Sequence, residues 1–152
     1  MNNKKKTQEK VEEPTAIYGV GVPAEGKSTM GAGETVERIR AGLPMVEFEA
    51  LQDLLGLGAE ELAGYLGMSR STLVRRRKAG RLDMQESDRL LRYARLYGRA
   101  DSVLGGAGTA RDWLKHPARA LGYVAPLAFA ETEAGAREVE DLLGRIEYGV
   151  FS

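Results

Sequence analysis

A few groups of residues have the type and spacing to do chemistry. Gly21 to Ser28 spell GVPAEGKS, the pattern of Gly, four residues and Gly-Lys-Ser whose amides cradle phosphates, with Lys27 on the phosphates and Ser28 on magnesium. Residues 69–78, SRSTLVRRRK, gather Arg70, Arg75, Arg76, Arg77 and Lys78, a cation density that suits DNA phosphates and guanine edges. His116 is the single imidazole, and Glu138, Glu140 and Asp141 crowd together near the C-terminus.

Each group has to be positioned, and the surrounding sequence decides which ones are. A phosphate loop needs a buried strand entering it and a sturdy helix leaving it, on a parallel sheet. Here IYGVGV is broken by glycine, STMGAGE is a poor helix, and no later apolar β run supplies a sheet or a magnesium-binding aspartate. The match is rejected, and the segment reads as part of a Gly-rich arm. His116 precedes Pro117 with no nucleophile paired to it, which points to a capping or surface role. Glu138, Glu140 and Asp141 fall on the polar side of a helix and read as a solvated face. With no cysteine and one histidine, thiolate-rich metal sites and disulfides are excluded. No catalytic residue, metal ligand or cofactor is assigned.

Composition gives the elements. The 152 residues are 43% hydrophobic and 29% charged, and no run approaches the roughly 18 apolar residues of a membrane span. Alanine and leucine far outnumber the β-branched valine and isoleucine, which favours an all-α fold. Residues 1–35 combine a charged start, MNNKKKTQEKVEE, with a Gly- and Pro-rich stretch. They bury too little surface to fold and lack the apolar core of a secretory signal, so they read as the flexible arm of a cytoplasmic protein.

From Pro44, the residues Val46, Ala50, Leu51, Leu54 and Leu55 predict an amphipathic helix ending at Gly56. A short helix follows over 59–66, and another runs from Ser69 to Gly80. After the polar residues 83–87, a longer helix carries Leu90, Leu91, Ala94 and Tyr97 on one face and runs into Val103 and Leu104. Ala110, Trp113 and Leu114 mark a helix stopped at His116–Pro117. Thr132 caps a last helix whose inward face is Ala136, Val139, Leu142, Leu143 and Ile146.

Residues 59–80 have helix-turn-helix spacing, with small Ala63 at the crossing, Gly67 at the turn, and Leu62, Leu66, Met68 and Leu73 holding the pair together. A helix advances about 100° per residue. With Leu73 inward, Ser71 and Arg75 therefore point outward with Lys78 nearby, and these are the base-side candidates. Ser69 caps the helix, and Ser69 and Thr72 at its first turn are counted among the DNA-binding residues. Arg70, Arg76 and Arg77 lie closer to the inward face and are assigned to phosphate contact or to structure.

With these elements in place, residues 43–152 resemble the Xre/MbcA/ParS-type antitoxins. The resemblance rests on Gly67-Met68-Ser69 through Thr72-Leu73-x-Arg75-Arg76, Gly80-x-Leu82, Glu86-Ser87-Asp88-Arg89-Leu90, Ala110-x-x-Trp113-Leu114, Leu121-Gly122 with Pro126-Leu127, and Thr132-x-x-Gly135-x-x-x-Val139 with Gly149. It implies a DNA-binding autoregulator, without catalysis of its own, that neutralises a RES-domain NAD-depleting toxin by covering its active-site region with the C-terminal helix and tail. It also implies a homodimer within a larger assembly. Toxin contact then falls on Arg145, Glu147, Tyr148, Val150, Phe151 and Ser152, where a charged helix gives way to a tip with no charged side chain.

The expected division is an arm over 1–35, a helix-turn-helix module over 36–100 and a toxin-binding module over 101–152. The zero net charge conceals this division. Residues 69–99 hold ten basic and three acidic side chains, whereas 101–152 hold five basic and eight acidic. On that reading the basic part suits DNA and the acidic part a protein partner.

Overall fold

The computed structural model describes residues 31–149. Among these residues the chain is helical throughout, apart from turns and two isolated β-bridges. The GVPAEGKS segment lies outside the described residues.

The first helix, α1 (Ala32–Ala41), is not foreshadowed by any apolar stripe, because none of its residues is buried. Ion pairs between Glu34 and Arg38 and between Glu37 and Arg40 support it locally. It also shortens the expected arm, which reaches residue 35 in the sequence reading, whereas the helix begins at Ala32.

Helix α2 (Met45–Leu55) ends at Gly56 in the left-handed region, as its glycine predicts. Its inward face is Met45, Phe48, Leu51 and Leu55, and Val46 is exposed. The expected stripe therefore needs correcting: Met45 and Phe48, three apart, set the buried face, and Val46 is turned away from it by the 100° step.

Helices α3 (Ala59–Tyr65) and α4 (Arg70–Ala79) follow with the expected bounds. The chain around them is zipped together. Met45 N–H donates to the Gly80 carbonyl at 2.9 Å, Leu82 N–H to the Leu43 carbonyl at 2.9 Å, and Leu43 N–H to Ser87 Oγ at 2.8 Å. These bonds fix both ends of the α2–α4 segment against the helix that follows.

That helix, α5 (Met84–Leu104), is 21 residues long and begins earlier than the sequence suggests. The polar run 83–87 is its first turn, closed by a capping box in which Asp83 and Glu86 satisfy each other's amides. Tyr93, Leu96 and Ala100 are buried in addition to Leu90, Ala94 and Tyr97, because α1 and α2 pack against α5 as well as later helices.

Helix α6 (Ala107–Lys115) stops at His116, which is extended before Pro117. A single 3₁₀ turn (Arg119–Leu121) and the short α7 (Pro126–Phe129) lead to α8 (Glu133–Glu147). Thr132 caps α8 by accepting from Gly135 N–H, and Ala136, Val139, Leu142 and Leu143 are buried. Helices α6 and α8 lie against α5, so one continuous core runs from Leu43 to Leu143.

Candidate nucleic-acid interface and C-terminal binding surface

The α3–α4 pair is held by apolar contact. Leu62, Ala63, Leu66, Met68 and Leu73 are all buried, and the turn is fixed by Met68 N–H donating to the Ala63 carbonyl at 2.8 Å. Gly67 adopts a positive φ of 75°, and a Cβ there would lie 2.3 Å from the Arg89 guanidinium. That guanidinium reaches across from α5 to donate to the Leu66 carbonyl at the end of α3. Ser69 caps α4, its Oγ accepting from Thr72 N–H at 3.2 Å.

With Leu73 inward, Ser71, Arg75 and Lys78 stand exposed on α4, as the helical step requires. The flanking arginines differ from them. Arg70 is exposed but ion-paired with Glu60 at 2.8 Å, and this hydrogen-bonded carboxylate holds it further toward its charged form. Arg76 turns away from the open face: its Nε donates to Glu86 at 2.6 Å and its Nη2 to Asp83 at 3.1 Å. Both carboxylates belong to the α5 capping box. Arg76 therefore joins the recognition helix to α5, the structural side of the two roles that its position on α4 leaves open. Thr72 is half-buried and accepts from Ser69 and Arg75, so it orients the Arg75 side chain.

On the opposite side of the molecule's charge balance, α5 and α8 are tied by a ladder of ion pairs. Arg92 meets Glu133 at 3.1 Å and donates to the Glu131 carbonyl at 3.0 Å. Arg95 meets Glu140, and Arg99 meets Glu147, each at 2.5 Å. The sequence reading puts Glu140 on a solvated face, and the structure corrects this, although Glu138 and Asp141 are exposed. The charge division is corrected for the same reason. Several of the basic residues of 69–99 neutralise carboxylates of 101–152 within the chain instead of facing DNA.

Beside the ladder an open groove is lined by Arg95, Arg99, Glu140, Asp141, Arg145 and Tyr148. Tyr148, which ends α8, is 79% exposed. His116 lies elsewhere, its Nδ1 2.6 Å from the Asp112 carbonyl at the end of α6, a capping position.

Two family models match this chain in tandem. The antitoxin Xre-like helix-turn-helix domain covers residues 34–95, and the antitoxin Xre/MbcA/ParS C-terminal toxin-binding domain covers 99–149. An antitoxin Xre of Yersinia enterocolitica is 33% identical over 135 residues, 88% of each chain. The chain belongs to the Xre antitoxin family. A Photorhabdus laumondii antitoxin Xre is 34% identical over 116 residues, 75% of this chain and 78% of its own. A Pseudomonas putida antitoxin Xre is 37% identical over 68 residues, 45% of this chain and 43% of its own. As an Xre family antitoxin the chain joins a helix-turn-helix to a toxin-binding domain and does not fall in an enzyme family.

In this Xre antitoxin the residues singled out from the sequence are sorted by their surroundings. Ser71, Arg75 and Lys78 share the outward face of α4, whereas Ser69, Arg70 and Thr72 stand at its N-terminal end. Arg145 and Tyr148 share the α5–α8 groove, and Glu147 is engaged by Arg99. Val150, Phe151 and Ser152 lie outside the described residues. Sequence reasoning passed over Asp83 and Glu86 as partners of Arg76, although Asp83-x-x-Glu86 ahead of an apolar run spells a capping box. It also passed over the arginine ladder, whose pairing only the packed helices reveal.

Proposed function

We propose that this Xre antitoxin binds operator DNA through α4, represses its own operon, and neutralises a RES-domain NAD-depleting toxin through α8 and the residues that follow it. The RES identity rests on the family resemblance. The observation that carries the DNA half is the sorting of cations. Among the described residues, ion pairs take up Arg70, Arg76, Arg92, Arg95 and Arg99, while Arg75, Arg77 and Lys78 are left without a carboxylate on exposed α4. Arg75 and Lys78 serve as base-side readers with Ser71, Ser69 presents the helix N-terminus to a phosphate, and Arg70 exchanges Glu60 for phosphate.

The two functional modules, 36–100 and 101–152, meet within α5, and a homodimer presents two α4 helices to a two-fold operator. Toxin contact runs along Arg145 and Tyr148 into Val150, Phe151 and Ser152. Co-expression with the RES-domain protein of the adjacent reading frame tests the toxin half. Wild type is expected to restore growth and co-purify with it, and Phe151→Asp to lose both. A toxic neighbour that wild type neither binds nor restrains, or a harmless neighbour, would leave a stand-alone transcription regulator in its place.

A further inference from the structure

The turn between the 3₁₀ helix and α7 is built in a way that the rest of the fold does not require. Tyr123 has a φ of 65°, the sole positive value at a non-glycine position among the described residues, and it follows Gly122, also at 65°. Consecutive left-handed residues are unfavourable where a Cβ is present. Backbone hydrogen bonds hold the strained turn. Tyr123 N–H donates to the Ala118 carbonyl at 2.9 Å, Ala118 N–H to the Val124 carbonyl at 3.1 Å, and Val124 N–H to the Leu121 carbonyl at 3.3 Å. Leu121 and Leu127 are buried on either side and anchor it.

The side chains that this turn presents have no role in the core. Tyr123 is 69% exposed and Val124 40%, so an aromatic ring and a β-branched side chain project from a backbone that is already fixed. Strain retained at an exposed, rigid position points to function rather than to folding. Pre-ordered tyrosines are effective anchors in protein interfaces, because they contribute area at little entropic loss. Residues 118–131 carry one cation, Arg119, balanced by one carboxylate, Glu131, too little positive charge to favour a phosphate backbone as the partner. The turn lies within the matched toxin-binding domain, residues 99–149.

We propose that Tyr123 and Val124 form a second toxin contact, separate from α8 and its tail, seated in an apolar depression on the toxin. The inference rests on the toxin-binding function proposed above. Binding of the purified RES-domain partner to the full chain, measured by calorimetry, tests it with paired variants. Tyr123→Ala keeps the left-handed backbone strain and removes the ring, so affinity is expected to fall about 10- to 100-fold with the melting temperature nearly unchanged. Tyr123→Gly releases the strain as well, so it is expected to lose the same affinity while melting a few degrees higher.

Wild type that binds the toxin together with a Tyr123→Ala variant that binds within about two-fold of it would overturn the second contact alone. Wild type that fails to bind would overturn the toxin-binding function itself, and the second contact with it. A Tyr123→Ala variant with unchanged toxin affinity and an altered sedimentation coefficient would assign the turn to a contact between copies of this chain, which also overturns the proposal.

Discussion

Burial pushes the Glu47 carboxyl up to about 7, outweighing the opposite pull of the Arg38 guanidinium. The side chain is on α2, 4% exposed, and its Oε1 has no hydrogen-bond partner. In the unfolded chain the same group titrates near 4.5, so the folded state holds the proton more tightly. The stabilisation from the protonated form is fully present below about 4.5 and is lost as pH rises through 7, a change of roughly 3 kcal/mol. Glu47→Gln is therefore expected to raise stability by about 2 kcal/mol at pH 8 and to flatten the profile between pH 5 and 8. Denaturant titrations at both pH values check this, and a variant with the wild-type pH slope would contradict it. On α4 two arginines one residue apart should separate cleanly. Arg76→Ala strips the carboxylates of Asp83 and Glu86 of their partner and should cost about 2 kcal/mol of folding stability. Arg75→Ala should leave stability unchanged, weaken operator binding by about 1–3 kcal/mol and relax base preference, read by band shift at fixed salt against altered operators. The outward row Ser71, Arg75 and Lys78 was legible in the sequence because it follows from one buried residue, Leu73, and the helical step. The capture of Arg76 by the next helix is hidden in the sequence, because residues 83–87 carry no apolar periodicity to mark them as the first turn of α5.

The helices themselves were legible where their signals are local. Ser69, Thr132, Gly56 and Gly80 cap or stop the helices at the expected places. Helix α1 was not, since it buries no residue and so lacks the apolar periodicity by which a helix is read. Pairing between helices was equally hidden, because Arg95 finds Glu140 at 45 positions' distance and Arg99 finds Glu147 at 48. The closest element contact lies at the start of α8. A Cβ on Gly135 would stand 1.8 Å from the Phe129 carbonyl oxygen and 2.9 Å from its carbon. Both are backbone atoms that no rotamer change can move aside. Gly135→Ala is expected to push α7 away from α8 and cost about 3 kcal/mol, whereas Thr132→Ala, which removes only the cap, should cost about 1 kcal/mol. Thermal denaturation of the two variants side by side checks the ranking, and equal losses would contradict it.

At the scale of the whole molecule, the zero net charge conceals internal pairing as well as a division between basic and acidic segments. Arg92, Arg95 and Arg99 are neutralised by α8, so they add little to DNA binding. With Arg70, Arg75, Arg77 and Lys78 as the cations that release counterions, a dimer should show a slope of log affinity against log salt of about −7. A slope near −15 would mean that Arg76 and the α5 arginines also reach phosphate. Helix α5 determines how the two binding surfaces are set against each other. Its first turn holds Arg76 of the recognition helix, and its later turns hold Glu133, Glu140 and Glu147 of α8. Each residue added to a helix rotates everything beyond it by about 100° and advances it by about 1.5 Å. One residue inserted after Gly98 would turn Arg99 away from Glu147 while leaving Arg92 and Arg95 in register. An insertion within α5 is thus expected to break this pairing, whereas one outside it leaves the phase of α5 unchanged. The angle between α4 and α8 is a matter of helical phase, set by the number of residues between Glu86 and Arg99.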